Sequence, residues 1–309
     1  MTPAPFHAAL ADGPPGAVAV WVQSGAARIR LAWWKAGSKG TVLLLPGRTE
    51  CIEKYGRAAA DLTARGYSVI TIDWRGQGLA DRSLPDRLMG HVGDFAEYQQ
   101  DLDALVAEAR RADLPEPFHM IAHSMGGCIG LRGLMRGVPV RSAVFSAPMF
   151  GISMAAWLRP VAVLVGALSA PLGLGARYAP TTGPQSYLQQ VPFHGNVLTS
   201  DREMWDYMLG QVREVPELAL GGPSIAWLHA AMQECAALSV QPAPDLPAIC
   251  ALGTAEKVVD VAPIHLRMAG WAKGQLDLYP GAEHEIMMEG PAVRARFFDR
   301  AVALFDANR

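Results

Sequence analysis

Ser124, His284 and either Glu256 or Asp260 are the residues whose types and order could run nucleophilic acyl transfer. A serine hydroxyl attacks a carbonyl poorly until an imidazole accepts its proton and a carboxylate orients that imidazole. The serine lies in "FHMIAHSMGGCIG" (118–130), an apolar run that meets a His-Ser-Met-Gly-Gly turn ahead of a small-residue helix pattern starting near Cys128. A strand that turns sharply into a helix leaves little room, so the positions two before and two after the serine must be small. They are Ala122 and Gly126. Such a turn lifts the Ser124 Oγ above the sheet and aims the Met125 N–H at the same spot from a helix N-terminus. The plainer reading of this segment alone is a serine N-cap on an ordinary turn.

The partners should follow in the order serine, acid, histidine, each in a loop after a later strand. The run "AICALG" (248–253) leads into Thr254, Ala255 and Glu256, and "QLDLY" (275–279) leads into Pro280 through His284. Glu256 is the preferred orienting carboxylate. Asp260, four residues on, is the alternative, and it doubles as an N-cap for a helix at "VAPIHLRM". Of the eight histidines, only His284 has this strand-end setting; His123 is expected to pack locally, and His91, in a loop, is open to a substrate contact. A tetrahedral oxyanion needs a second donor beside the Met125 N–H. The loop Pro46-Gly47-Arg48-Thr49-Glu50 follows "TVLLL" (41–45) and offers the Arg48 N–H, unless it is only a Pro-Gly turn.

To position these loops the chain needs a sheet, and its pattern supplies one. "AVAVWV" (17–22) and "RIRLAWW" (28–34) read as a hairpin around 23–25. "TVLLL", "SVITID" (68–73), "FHMIA" (118–122) and "SAVFS" (142–146) are continuous apolar runs, as parallel strands covered on both faces require. Between them, 53–66 and 94–111 carry helical spacing, the second opening with Asp94 and Glu97 at capping-box distance. The fold class is α/β, a mostly parallel doubly wound sheet with antiparallel N-terminal strands. The pattern breaks after Ser146 for about a hundred residues, far more than a strand-to-helix joint needs, so an inserted helical lid is expected. The resulting organisation is an N-terminal arm over 1–16, read as loose; a core over 17–147 and 245–309; and a lid over 148–244.

With 27 basic against 29 acidic residues and a net charge of -2, no broad positive field exists for a nucleic-acid partner. The four cysteines are scattered without metal-ligand or disulfide-framework spacing and read as buried thiols; no metal and no cofactor is expected. The N-terminus lacks a basic region followed by an apolar one, so the expected location is cytoplasmic. Residues 143–176 carry a single charge, Arg159. That greasy stretch either roofs a pocket or, as an interfacial segment, gives peripheral contact with the inner face of a membrane. Oligomeric state is not legible.

Taken together, "LLLPGRTECIEKYG", "IDWRGQGLADR", "HSMGG", "LTSDREMW", "GGPSIAWL", "GTAEKVVD" and "GAEHEIM" resemble the α/β-hydrolase superfamily. Within it they are similar to the lysophospholipase L2 and monoacylglycerol lipase branch of serine aminopeptidase S33 type. Two positions depart from that branch: Pro46-Gly47 stands where His-Gly is usual, and Glu256 where aspartate is usual. The resemblance implies a lipid ester substrate, one acyl chain on glycerol or a glycerophospho head group, cleaved through an acyl-serine intermediate. The rivals are an aminopeptidase of the proline iminopeptidase type, which would need a carboxylate cluster such as Glu203, Asp206 and Glu214, and a catalytically silent lipid-binding module.

Overall fold

Strands that are apolar at every position are stable only between two covering layers. The computed structural model, which describes residues 2–155, 157–169 and 171–309, builds those layers. The strands are β1 (Thr2–Pro3), β2 (Val18–Ser24), β3 (Ala27–Trp34), β4 (Thr41–Leu45), β5 (Ser68–Asp73), β6 (Phe118–His123), β7 (Ala143–Ser146), β8 (Ala248–Gly253) and β9 (Gly274–Tyr279). They form one sheet in the order β1-β2-β3-β5-β4-β6-β7-β8-β9, antiparallel from β1 to the β3–β5 pair and parallel from there to β9.

Side chains alternate between the two faces with the strand period of two. Leu43, Leu45, Ile70, Ile72, Met120 and Ala122 pack on one side against α3 (Ala96–Arg111) and α4 (Met125–Met135). Val42, Leu44, Val69, Ile121 and Val144 pack on the other against α2 (Gly56–Ala64) and α10 (Pro291–Asp306), the last helix. Removing a ring such as that of Phe298, fully buried on α10, costs about 3–5 kcal/mol. Between β7 and β8 the chain forms α5 (Leu158–Ser169), α6 (Tyr187–Gln190), α7 (Arg202–Glu214) and α8 (Ile225–Ser239); α9 (Val261–Ala269) joins β8 to β9.

Three local expectations change. The hairpin turns at Gly25 and Ala26, with Ser24 opposite Ala27, one residue further along than the pattern placed it; Gly25 supplies the left-handed φ of 56°. Helix α4 starts at Met125 and not near Cys128, because Ser124 turns the chain in a single residue. The arm is not loose. Its β1 pairs with β2, its helix α1 (Ala8–Ala11) accepts from Tyr207 Oη and Gln211 Nε2 of α7, and its Pro5 carbonyl accepts from Arg30 at 2.8 Å. Arg30 lies between Asp73 (2.7 Å) and Glu53 (2.7 Å), all fully buried, a pair set that composition could not announce. At α3 the spacing holds: Ala96 N donates to Asp94 Oδ1 at 2.8 Å and Asp94 N to Glu97 Oε1 at 3.3 Å, although regular helix begins at Ala96.

Candidate active site

Ser124 occupies the single residue between β6 and α4, with φ 48° and ψ -117°, a conformation that costs a non-glycine residue about 1–3 kcal/mol. Three hydrogen bonds impose it: Ser124 N donates to Ser146 O (3.1 Å), and the Ser124 carbonyl accepts from Gly127 N (2.9 Å) and Met149 N (2.8 Å). The tightness sets the neighbours. A Cβ on Gly126 would lie 2.3 Å from the Leu45 carbonyl oxygen, so only glycine fits there.

The loop after β4 passes directly beside the serine, since a Cβ on Gly47 would stand 3.0 Å from Ser124 Cβ. Side chains pin this loop: Trp74 Nε1 donates to Pro46 O (2.9 Å), Gln77 Nε2 to Gly47 O (2.9 Å), and Thr49 N to Gln77 Oε1 (3.2 Å). Gly47 N donates to the Glu50 carboxylate. The Arg48 amide thus follows the residue in contact with Ser124, and the Met125 amide opens α4.

His284 and Glu256 meet: His284 Nδ1 lies 2.7 Å from Glu256 Oε2, and both side chains are nearly inaccessible. Glu256 Oε1 accepts from the amides of Val258 and Val259 (3.1 Å for the latter), so the carboxylate is clamped on both oxygens. Burial alone would raise its pKa; the hydrogen bond and charge of His284 and the two amides outweigh that and hold the carboxyl below its usual value. An ionised carboxylate can only accept, which puts the proton on His284 Nδ1 and leaves Nε2 with a free lone pair able to accept one.

Asp260 is elsewhere. It caps α9 by accepting from Ala262 N at 3.2 Å and pairs with Arg159 Nη2 at 3.1 Å. His91, the other open position, is bound to Ser224 Oγ through Nδ1 at 2.7 Å. Glu203 and Asp206 are exposed and paired with Arg57 and Arg202, and Glu214 is exposed.

Ser124 and His284 line one cavity of about 460 Å³, together with Arg48, Glu50 and Lys54. Its walls are mostly apolar and come largely from the segment between β7 and β8: Met149, Ile152, Leu188, Leu198, Met208, Val212 and Trp227. Sequence reasoning did not single out what lies beneath. Lys54 Nζ bridges Glu50 Oε1 (2.7 Å) and Glu285 Oε1 (2.6 Å); Tyr55 Oη donates to Glu50 Oε2 (2.5 Å). His123 Nδ1 is 3.0 Å from the Ser146 carbonyl, and its Nε2 is 3.1 Å from Glu285 Oε2 and 3.4 Å from Glu50 Oε1. Its ring centroid is 4.8 Å from that of His284.

Glu50, His123 and Glu285 present ligand atoms within 4.8 Å of one another, a spacing a metal could use. The Lys54 ammonium already provides the cation there, so the group is an ion-pair cluster. Desolvation works against every charge in it, yet the carboxylates keep Lys54 and His123 above their ordinary pKa values, and the two cations hold Glu285 well below its own. The signal was present as charged residues inside otherwise apolar segments, "CIEKYG" and "GAEHEIM".

The family model described as serine aminopeptidase, S33, matches residues 36–291. Lysophospholipase L2 of Escherichia coli strain K12 is 31% identical over 276 residues, 86% of this chain and 80% of the relative. A probable lysophospholipase L2 of Haemophilus influenzae is 28% identical over 278 residues, 88% of this chain and 87% of the relative. Among solved structures, a soluble variant of monoglyceride lipase from Saccharomyces cerevisiae, in complex with a substrate analog, superposes with a TM-score of 0.73, covering 94% of each chain at 22% identity. That likeness shows the α/β-hydrolase fold. The extent of these matches settles the family: the chain belongs to the serine aminopeptidase S33 family of α/β-hydrolases.

Proposed function

We propose that the protein is a serine carboxylic ester hydrolase that cleaves monoacyl lipids, lysophospholipids or monoacylglycerols, through an acyl-serine intermediate. The observation that carries this reading is the His284–Glu256 pair set in the same apolar cavity as Ser124. The names of the lysophospholipase relatives support the substrate class.

In the proposed cycle the Ser124 Oγ attacks the ester carbonyl carbon while His284 Nε2 takes the hydroxyl proton. Charge gathers on the carbonyl oxygen, which the Met125 and Arg48 amides receive. Each such donor is worth on the order of a hundredfold or more in rate. Glu256 holds the imidazolium in place. The C–O bond to glycerol breaks as His284 returns the proton to the leaving alcohol. Water then loses a proton to His284, attacks the acyl-serine, and the fatty acid departs as Ser124 recovers its proton.

The helices between β7 and β8 act as the lid, and α5 with its flanking residues supplies its membrane contact. No helix among the described residues is long and apolar enough to cross a membrane. Yet Trp157 (74% exposed), Leu164 (60%) and Leu172 (65%) stand in water, in a stretch whose residues 156 and 170 lie outside the description. A single-chain ester residing in a bilayer is collected by such a surface.

Hydrolysis rates for a lysophospholipid, a monoacylglycerol and an aminoacyl anilide test the reading. Turnover of a lipid ester is expected; turnover of the anilide alone would replace it with the aminopeptidase reading. Labelling of wild type by a fluorophosphonate, with none of Ser124→Ala, separates an active serine from a silent lipid-binding module.

A further inference from the structure

We propose that the Arg48 guanidinium is the phosphate-binding group of the acyl-ester site, so that the enzyme favours single-chain glycerophospholipids over monoacylglycerols. This rests on the esterase reading and assigns the head group within it. Arg48 carries two separate functions here: its amide faces the oxyanion, and its side chain reaches away toward the inserted helices.

The guanidinium stands over the Trp227 indole, 5.2 Å from the ring centroid, and its Nη2 donates to the Gly221 carbonyl at 2.6 Å. It also passes close to Gly90, where an added Cβ would lie 2.8 Å from Nη2. Arg48, Leu220 and Trp227 all line the cavity that contains Ser124. Among the described residues no carboxylate pairs with Arg48, and its Nε is buried without a hydrogen-bond partner. The two buried arginines are treated differently: Arg30 has Asp73 and Glu53, and Arg75 has Asp101 and Glu97.

A part-buried cation with one carbonyl and one aromatic face for company is poorly compensated, and desolvation lowers its pKa to about 10. Such a group gains most from an anion that arrives with the ligand. Guanidinium matches a phosphate through paired N–H donors, and a desolvated wall strengthens that attraction. In a glycerophospholipid the phosphate sits one glycerol backbone away from the scissile ester, and Arg48 begins one residue from the glycine in contact with Ser124. A monoacylglycerol offers that site only a hydroxyl.

Two ether lipids of equal chain length, a 1-O-alkylglycerol and its 3-phosphocholine ester, cannot be hydrolysed and report binding to the wild-type enzyme as inhibition. The phosphate-bearing ether should inhibit at least roughly tenfold more tightly, the lower end expected for a charged hydrogen bond. Arg48→Gln, which keeps the backbone amide, should shrink that ratio below about threefold, with Arg48→Lys in between. Equal inhibition constants in wild type, or a ratio that Arg48→Gln leaves unchanged, would overturn the assignment, and the wild-type comparison stands even if the variant does not fold. Glycerol 3-phosphate carries the anion without the chain; inhibition by it as strong as that of the phosphate ether would reject a lipid head group as the ligand. Wild-type hydrolysis of either lipid class preserves the esterase reading whichever way Arg48 falls, whereas hydrolysis of neither defeats that reading by itself.

Discussion

Glu256 holds His284 through one carboxylate oxygen and the amides of Val258 and Val259 through the other, while Asp260, four residues on, spends its own carboxylate on a helix cap and Arg159. The two acids that sequence order left in competition therefore separate by experiment. Glu256→Gln should lower kcat by roughly ten-thousandfold, as loss of an orienting carboxylate does, with little change in melting temperature. Asp260→Asn should leave kcat within about threefold and cost at most about 1 kcal/mol of stability through the weaker cap. Paired kcat and thermal-melting measurements on both variants decide it; a larger catalytic loss in Asp260→Asn would reverse the roles.

The backbone at Ser124 makes a second prediction, one about stability. At φ 48° and ψ -117° any side chain is strained, and glycine alone is not. Both Ser124→Ala and Ser124→Gly should lose roughly a millionfold in turnover. Glycine, however, should fold about 1 kcal/mol more stably than alanine, since relief of strain exceeds its extra unfolded-state entropy. Urea denaturation compares the two directly, and an alanine variant more stable than the glycine one would show that the elbow stores no strain.

Much of this arrangement was legible because it follows from local rules. The small residues around Ser124, the uniform apolar runs of β4 to β8 and the loop positions of Glu256 and His284 are each dictated by one turn or one strand. Glu50, Lys54 and Glu285 were not legible as a unit, because Lys54 and Glu285 are 231 positions apart and a buried charge announces itself only once its partner is placed. Arg30 beside Asp73 and Glu53 is the same case. The N-terminal arm misled for a related reason: its Pro/Ala composition resembles a linker, and its anchors are backbone carbonyls of Pro5, Leu10 and Ala11 that any sequence would possess.

His123 gives a pH prediction. It faces Glu285 and Glu50 at Nε2, the Ser146 carbonyl at Nδ1 and the His284 ring, with Lys54 across the carboxylates. Burial by itself would lower its pKa, but Glu285 and Glu50 prevail over burial and over Lys54, and the net shift is upward. A group whose folded pKa exceeds its unfolded value stabilises fully below the unfolded pKa, about 6.5, and loses that contribution as pH rises through the folded one. Wild-type unfolding free energy should therefore fall above roughly pH 6.5 more steeply than that of His123→Asn. Denaturant titrations between about pH 6 and 9 test this; parallel curves would mean that the imidazole binds no extra proton in the fold.

The exposed apolar surface of α5 and its flanks can be separated from chemistry at Ser124. Trp157, Leu164 and Leu172 are exposed, and none of them lines the cavity, so charge placed there should spare the site and weaken only collection of substrate from a surface. Burying a leucine side chain in an apolar phase is worth about 1.5–3 kcal/mol, so Leu164→Asp with Leu172→Asp should reduce vesicle binding by at least roughly tenfold. Hydrolysis of lipid presented in vesicles should drop in parallel. Turnover of a short-chain ester dissolved as monomer should stay within about twofold, because it reaches the cavity through water. Vesicle sedimentation beside the two assays provides the comparison. Equal losses on both substrates would mean that these side chains support the lid's packing, and unchanged vesicle binding would mean that the surface meets something other than lipid.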